Sequence, residues 1–296
     1  MNINKIISIM ERRGFLRWVP TEMYLKLRYQ RLMGHKLDLN NPQLYTEKLQ
    51  ALKLKYTSSP NLPQYTVMAD KIKAKEYVAN VLGNEYIIPT IDVWNNFKDV
   101  NFEQLPPRFV LKTNHDSGGV VVCTDKEKLD IEQAKVKLTK SLRRNFYWYG
   151  REPQYKDIKP QIFAEELIDV SANEELIEYK MFCFNGKMKY VLVCQGAAHS
   201  AATRRNDFYD ENFSHLPIIG TYPNSEKESG KPEVFDKLTE LSEKLAEDVP
   251  HLRVDWYVVG NRIYFGELTF FNDSGYTKFR PEKWDEIFGR NLIVNS

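Results

Sequence analysis

Two acids stand inside strongly apolar, strand-like runs near the C-terminal end of the chain. Asp255 lies in Arg253–Val259 and Glu267 lies in Ile263–Phe270. A carboxylate in such a setting is costly unless something compensates its charge, and a cation is the natural compensator. Strand register decides whether the two acids can share one. A two-residue turn at Gly260-Asn261 pairs Val254 with Glu267 and puts the acids on opposite faces. A three-residue turn, Gly260–Arg262, pairs Asp255 with Glu267, Tyr257 with Phe265 and Val259 with Ile263. The second set is chemically consistent along one face and is the expected register. Two carboxylates, with phosphate oxygens completing the shell, suit Mg2+. The plainer alternative is an ion pair with Arg253 or a nearby lysine.

A second place for chemistry is Lys112, at the end of the run Phe109-Val-Leu-Lys and followed by Asn114-His-Asp-Ser-Gly-Gly119. A lysine on a strand, with a glycine loop behind it, can present an ammonium and backbone N–H groups to a polyphosphate. Ser-Gly-Gly is also an ordinary hairpin tip, and the spacing is not that of a P-loop. Third, Ile162–Ile168 ends an apolar run in Glu165-Glu166. Such an edge can offer a carboxylate and backbone groups to an amino-substituted base, or can simply be a strand end with solvated acids.

These residues need elements to hold them. Residues 1–60 read as helical and basic, with apolar spacing over Thr21–Tyr29 and again over Thr46–Lys55. Asp70 is placed to cap a helix reaching about Leu82, with Gly83-Asn84 ending it. Phe109–Lys112 and Val120–Cys123 read as strands around the glycine loop, and Asp130–Arg144 as an amphipathic helix. Two hairpins follow, one turning at Asn185-Gly186 and one at Gly260-Asn261, with a helical period over Pro232–Glu247 between them. Helices first, then antiparallel strands with helices, make the fold class α+β.

Composition excludes several functions. The net charge of +2 gives no reason to invoke nucleic acid. No apolar run approaches the ~20 residues of a spanning helix and no signal peptide is visible, so a cytoplasmic protein is expected. Cys123, Cys183 and Cys194 have no metal or disulfide spacing and read as buried thiols. His35, His199, His215 and His251 are scattered without ligand spacing and read as structural, while His115 borders the glycine loop. The mixed Arg/aromatic run Arg143–Arg151 suits rings buried with polar tips exposed, sugar packing, or base stacking, in that order. The N-terminal helices, carrying Arg12, Arg13, Arg17, Lys26, Arg28 and Arg31, read as a solvated basic face that can also meet a membrane.

Taken in order, Asp70-Lys71, the Phe109–Gly119 run, Ala164-Glu-Glu166, Tyr179-Lys180, Arg253-Val-Asp255 and Gly266-Glu-Leu-Thr269 resemble the ATP-grasp superfamily. More narrowly, the chain resembles the TupA-like ATP-grasp family associated with teichuronopeptide and capsular polysaccharide biosynthesis. Further matches are Thr46–Gln50, Tyr149–Glu152, Phe182–Gly186 and Phe208–Asp210, and the resemblance covers roughly residues 20–290. It implies an ATP-grasp fold of two α+β lobes gripping ATP, behind a helical N-terminal region. The implied domains are 1–107, a small lid lobe 108–165 and a metal-bearing lobe 166–296.

Lys71 and Lys112 are then implied to contact the ATP phosphates, with Ser117, Gly118 and Gly119 closing over them. Glu165 would accept from the adenine amino group, with the backbone of Glu166 and Ile168 beside it. Lys180 would lie near the nucleotide, and Arg205 would add a phosphate contact. Asp255, Glu267 and Thr269 would hold Mg2+, and Arg253 would steady an acyl phosphate. One departure is Thr269, where many relatives carry Asn; Asn272 or Asp273 stands close enough in sequence to compensate. The implied activity is a carboxylate–amine ligation. Its partners would be a glycan or small-molecule carboxylate and an amino-acid amine, with peripheral association with membrane glycan-assembly machinery. A kinase acting on a sugar hydroxyl and a non-catalytic nucleotide-binding component are the rival readings.

Overall fold

The computed structural model describes residues 7, 9–11, 14–171, 175–196 and 204–294. Arg12, Arg13 and His199, named above, lie outside the described residues. The elements begin with α1 (Thr21–Met33), α2 (Tyr45–Thr57), α3 (Leu62–Ala69), α4 (Lys73–Leu82), β1 (Thr90–Trp94), β2 (Phe109–Thr113) and β3 (Val120–Cys123). Next come α5 (Ile131–Leu142), α6 (Tyr147–Gly150), β4 (Ile162–Glu166), β5 (Ile177–Phe184), β6 (Lys187–Gln195), β7 (Arg205–Asp210) and β8 (His215–Leu216). The last are α7 (Phe235–Ala246), β9 (His251–Val259), β10 (Arg262–Thr269) and α8 (Lys283–Asn291). Helices and antiparallel sheets together make the fold α+β, as expected from the sequence.

The chain divides into two compact units. One holds Met1–Trp18, Pro60–Tyr77 and Ile87–Asp169; the other holds Val19–Ser59, Val78–Tyr86 and Val170–Ser296. These do not coincide with consecutive domains at 1–107, 108–165 and 166–296. The helical N-terminal region is shared out, because its helices bury their apolar faces in different places.

The first unit is built on a four-stranded sheet in the order β1-β4-β2-β3, every pair antiparallel. α5 starts at Asp130, whose carboxylate accepts from Gln133 N at 2.8 Å and so satisfies an orphan amide of the first turn. The helix turns Ala134 and Leu138 onto Phe109, Leu111, Ile162 and Ala164, which form this unit's core.

The second unit carries a six-stranded antiparallel sheet, β10-β9-β5-β6-β7-β8. The Asn185-Gly186 turn joins β5 to β6 with both residues at positive φ, +50° and +80°, the geometry that Asn-Gly favours. α7 buries Leu238, Leu241 and Leu245, and its Ser242 hydroxyl accepts from Trp256 Nε1 at 2.8 Å. α2 belongs here because its apolar residues Leu49, Leu52 and Tyr56 are buried and its N-terminus is tied to α8. Thr46 donates to Asp285 from both its backbone N, 2.9 Å, and its hydroxyl, 2.6 Å. All three cysteines are free and buried. Among the described residues no helix is long and apolar enough to cross a membrane.

The β9–β10 hairpin corrects the expected register. The turn has two residues, so Arg262 pairs with Val259, Tyr264 with Tyr257 and Phe265 with Trp256. A bulge between Phe265 and Glu267 then consumes Gly266, and Glu267 pairs with Asp255 after all. Tyr257–Phe265 and Val259–Ile263 are not pairs. Gly266 suits the bulge because a Cβ there would lie 2.9 Å from the Asp255 carbonyl oxygen.

Candidate functional site

In the first unit, charge collects on the face of the sheet that carries Lys112. Val110 pairs with Glu165 across β2 and β4, which makes Lys112, two residues on, its diagonal neighbour. Lys112 Nζ forms an ion pair with Glu165 Oε1. Lys75, from α4, donates to Glu165 Oε2 at 2.7 Å, to Ile88 O at 2.8 Å and to Thr90 Oγ1 at 3.1 Å. Glu165 is buried. Burial pushes its carboxyl up, but Lys112 and Lys75 outweigh this and hold it below the usual range. Burial likewise lowers the Lys75 ammonium, with Glu165 opposing.

The glycine loop next to this cluster is anchored at its base and open at its tip. Asp116 is buried; it accepts from Thr113 Oγ1 at 2.5 Å and from the Ser141 hydroxyl at the end of α5. Asn114 holds the entry, donating to Asp70 Oδ1 at 3.0 Å and Lys159 O at 3.1 Å while accepting from Gln161 N at 2.8 Å. Asp70 also accepts from Ile72 N at 3.0 Å, just before α4 begins. Lys71 Nζ donates to Asp116 O at 2.7 Å, so Lys71 stands at the loop base. Ser117 and Gly118 are exposed, and Gly118 has φ +94°. Gly119 is buried, and a Cβ there would run into Thr113 Oγ1 and Ser141 Oγ.

His115 is buried too, with Nε2 3.0 Å from Arg144 O. Burial lowers its imidazole. Glu166 is exposed, and its backbone N donates to Pro89 O at 3.0 Å; Ile168 follows beyond β4, half-buried.

In the second unit, the register writes two rows across three strands. Lys180, Asp255 and Glu267 are cross-strand partners on β5, β9 and β10. Arg253 and Thr269 form the next pair, two residues along the same face. Arg253 occupies the middle of this oxygen-rich patch. Its Nε and Nη2 donate to Asp255 Oδ1 and Oδ2, both at 2.6 Å. Nη2 also reaches Thr269 Oγ1 at 3.1 Å and Glu267 Oε1 at 3.2 Å, and Nη1 donates to Asn272 Oδ1. Lys180 Nζ donates to Asp255 Oδ2 and Glu178 Oε1, each at 2.6 Å. Glu178 in turn accepts from Arg204 Nη2 at 3.2 Å, and Arg204 stacks over Tyr222.

Asp255 is 1% exposed, so these contacts act with little solvent screening. Burial raises the Asp255 carboxyl above its ordinary value, with Arg253 and Lys180 opposing. Burial would lower the Lys180 ammonium and the Arg253 guanidinium, yet Asp255 raises both above their ordinary values. Three cations, Arg253, Lys180 and Arg204, face three acids, Glu178, Asp255 and Glu267.

Of the residues singled out in the sequence, the structure brings Lys112 together with Glu165, and Lys71 with the loop. It brings Lys180, Arg253, Asp255, Glu267 and Thr269 into one cluster. Arg205 donates from Nη1 to Arg204 O at 3.0 Å, and it is Arg204 that joins Glu178. Sequence reasoning missed Lys75, Glu178 and Arg204. Lys75 follows Lys71 at helical spacing, and Glu178 precedes Lys180 by two on one strand face; both spacings were readable signals.

The donor set can be tested for a divalent cation. The described residues contain no group of three or more His, Cys, Asp and Glu arranged for a metal. They do contain two carboxylates, a hydroxyl and an amide oxygen that converge on a single positive group, the Arg253 guanidinium. All are hard oxygen donors, and one or two carboxylates plus substrate phosphates are what Mg2+ ordinarily takes. The chemistry fits.

The sequence profile of the family described as TupA-like ATPgrasp matches residues 47–293. The chain belongs to the TupA-like ATP-grasp family. The resemblance read from the motifs is thereby borne out, and the fold is ATP-grasp. No curated protein matches the sequence. Among solved structures the chain is similar to D-alanine–D-alanine ligase from Bacillus anthracis complexed with ATP, at 18% identity and TM-score 0.42, covering 69% of this chain and 55% of that one. It is also similar to D-alanine–D-alanine ligase from Helicobacter pylori, at 16% identity and TM-score 0.43, covering 77% and 62%. A third similarity is to C-terminally truncated Cdc123 from Schizosaccharomyces pombe, at 11% identity and TM-score 0.40, covering 71% and 86%. The chain thus spans less than two thirds of the length of either ligase.

Proposed function

We propose that this TupA-like ATP-grasp protein is an ATP-dependent ligase that activates a carboxylate as an acyl phosphate and passes it to an amine. The observation that carries the reading is the convergence of Asp255, Glu267, Thr269 and Asn272 on Arg253. In this reading Asp255, Glu267, Thr269 and Asn272 hold Mg2+, which supplies charge neutralisation at the nucleotide phosphates. Lys71, Lys112 and the exposed tip Ser117-Gly118, with Gly119 behind it, take the ATP phosphates. Lys180 pairs with Asp255 and adds positive charge beside the nucleotide. Arg253, fully charged and hydrogen-bonded along both edges, stabilises the oxyanion of the acyl phosphate.

The buried, doubly paired Glu165 stabilises Lys112 in position. Any acceptance from an adenine amino group is an added role for the same carboxylate. Glu166 and Ile168 provide backbone at that edge, and Arg205 or its neighbour Arg204 a further phosphate contact. The family resemblance suggests a uronic-acid carboxylate on a cell-surface glycan as the acid and an amino acid as the amine.

One observation favours a second reading, a nucleotide binder without turnover. Both Asp255 oxygens are already engaged by cations, and Thr269 stands where many relatives carry Asn. ADP release measured with uronic acids, amino acids and both together separates the readings. Ligation requires ADP only when acid and amine are both present, with an amide detected by mass spectrometry. A phosphorylated product without amine means a kinase, and nucleotide binding without ADP means a binder. Absence of ATP binding in magnesium buffer overturns all three.

A further inference from the structure

The turn that follows β10 adopts a backbone conformation that side chains avoid. Asp273, Ser274 and Gly275 stand consecutively at positive φ, +47°, +56° and +72°. Glycine enters that region freely, Asp at some cost and Ser at more. Adjacent residues with a Cβ persist there only where their surroundings over-determine them.

Those surroundings belong to the same second unit and include one face of α2. Lys53 Nζ donates to Ser274 O at 2.7 Å. Gln50 Nε2 donates to Gly275 O at 2.8 Å and to Ser274 O at 3.3 Å. Both side chains are fully buried and stand one helical turn apart. The Lys53 ammonium also lies 5.5 Å from the Phe271 ring centre and 5.1 Å from that of Tyr276, so it grips the turn at both ends. The backbone is pressed onto the helix: a Cβ on Gly275 would lie 2.4 Å from Gln50 Nε2 and 3.1 Å from Leu49 Cβ. Burying an ammonium is costly, and an apolar side chain would fill the same space, so the charge points to a need for the carbonyl contact.

The helix offers a fixed reference. Tyr45 Oη lies 2.9 Å from His251 Nε2, Thr46 is bonded to Asp285, and Lys48 Nζ donates to Gly289 O and Leu292 O, each at 2.9 Å. What the turn carries is Asn272. Its Oδ1 accepts from Arg253 Nη1, while its Nδ2 donates to Thr277 Oγ1 at 2.7 Å and to Asp273 Oδ2 at 3.3 Å. Thr277 Oγ1 in turn donates to Asp273 Oδ2 at 3.2 Å, which closes the turn on itself.

We propose that Lys53, assisted by Gln50, is a positioning residue for the Arg253 site. By capturing the Ser274 and Gly275 carbonyls it holds the left-handed turn, and the turn aims Asn272 Oδ1 at the guanidinium. What the guanidinium then does, steadying an acyl phosphate beside a magnesium ion, rests on the ligase reading. That Lys53 sets the place of Asn272 does not.

The test uses the full chain with nitrogen isotope labelling and reads the Arg253 side-chain N–H resonances, assigned by their loss in Arg253→Lys. Lys53→Met keeps length and bulk but removes the ammonium. It is expected to shift those resonances and to weaken the magnesium-dependent part of ADP affinity about tenfold or more, because groups that orient a metal ligand carry effects of that size. ADP affinity without magnesium is unchanged. Gln50→Met moves both readouts in the same direction and decides the matter if Lys53→Met does not fold. Asn272→Ala shows both effects, and adding Lys53→Met to it changes neither further, because the lysine acts through Asn272. Lys48→Met loosens the same helix without touching the turn, so it lowers the melting temperature and leaves both readouts as in wild type. Unmoved Arg253 resonances in the Lys53 and Gln50 variants overturn the proposal. So do an unchanged magnesium-dependent affinity, losses that add in the double variant, or equal effects in Lys48→Met. Failure of the ligase reading looks different: wild type then takes up no ADP in magnesium buffer, while the Arg253 resonances still decide what holds the turn.

Discussion

Replacing Asp255 with Asn removes one negative charge from a buried site while keeping the side chain's size. Asp255 accepts three charge-assisted hydrogen bonds at 2.6 Å, two from Arg253 and one from Lys180. Breaking a buried pair by removing one partner costs about 3–5 kcal/mol, because the other charge is left uncompensated. Here the lower end applies, since Glu178 still holds Lys180 and Glu267 still reaches Arg253. Asp255→Asn is therefore expected to destabilise the protein by about 3 kcal/mol. Lys180→Met is expected to cost less, because Arg253 continues to neutralise Asp255. The decisive measurement is the double variant. With Lys180 gone, Asp255→Asn strands only one cation, so the two losses fall short of additive by about 0.5–3 kcal/mol. Urea unfolding with unchanged m-values reads all four corners of the cycle. Strict additivity would refute the claim that these groups form one electrostatic unit. In parallel, calorimetry should show the magnesium-dependent part of ADP affinity lost in Asp255→Asn and retained in Lys180→Met.

Three further outcomes are expected. Lys75→Met leaves Glu165 with Lys112 alone and removes the donor from Ile88 O and Thr90 Oγ1, costing about 3 kcal/mol; urea melts check this, and a loss under 1 kcal/mol by that measure would mean Lys112 suffices. His251 is fully buried, with Nδ1 2.7 Å from Phe270 O and Nε2 2.9 Å from Tyr45 Oη, so a neutral ring protonated on Nδ1 satisfies both contacts. Burial lowers its pKa to about 4. The unfolded chain takes up the proton at about 6.5, so the contribution is complete above that pH and is lost as pH falls toward 4, roughly 3 kcal/mol in all. His115, also lowered by burial, acts in the same direction, and the difference between wild type and His251→Gln in pH-dependent melts isolates His251; parallel curves count against the assignment. Gly266→Ala forces a shift at the bulge and is expected to cost about 1–3 kcal/mol, with magnesium-dependent ADP binding weakened beyond what stability explains; intact binding would show that the bulge does not set the acid pair.

The β9–β10 hairpin shows where reading the sequence works and where it stops. A three-residue turn and a two-residue turn followed by a one-residue bulge displace the later strand by the same amount. The pairing of Asp255 with Glu267 was therefore legible, while the pairs nearer the turn were not. Parity along a strand reports which face a residue occupies, and a bulge restores parity without leaving a periodic trace. Its mark is Gly266 inside the strand-like run Ile263–Phe270. Local signals of the same kind were legible elsewhere: Asn185-Gly186 as a turn, and Phe109 to Cys123 as strand, loop and strand.

What no local signal carries is the partner across space. Glu165 stands 90 residues from Lys75, and Arg253 stands 19 from Asn272. Glu165 in sequence is a strand-end acid like Glu166, one exposed and one buried between two ammonium groups. The difference comes from α4 delivering Lys75 beneath β4, a tertiary event. Function follows the same division. Residue types and order identify the family and the atoms available for chemistry. The network then determines which of those atoms are already engaged. Asp255, read in sequence as a metal ligand awaiting a cation, is found already holding two cationic side chains. In the proposed reading a divalent ion would compete with Arg253 and Lys180 for those oxygens, so magnesium-dependent ADP affinity is expected to be retained or strengthened in Lys180→Met.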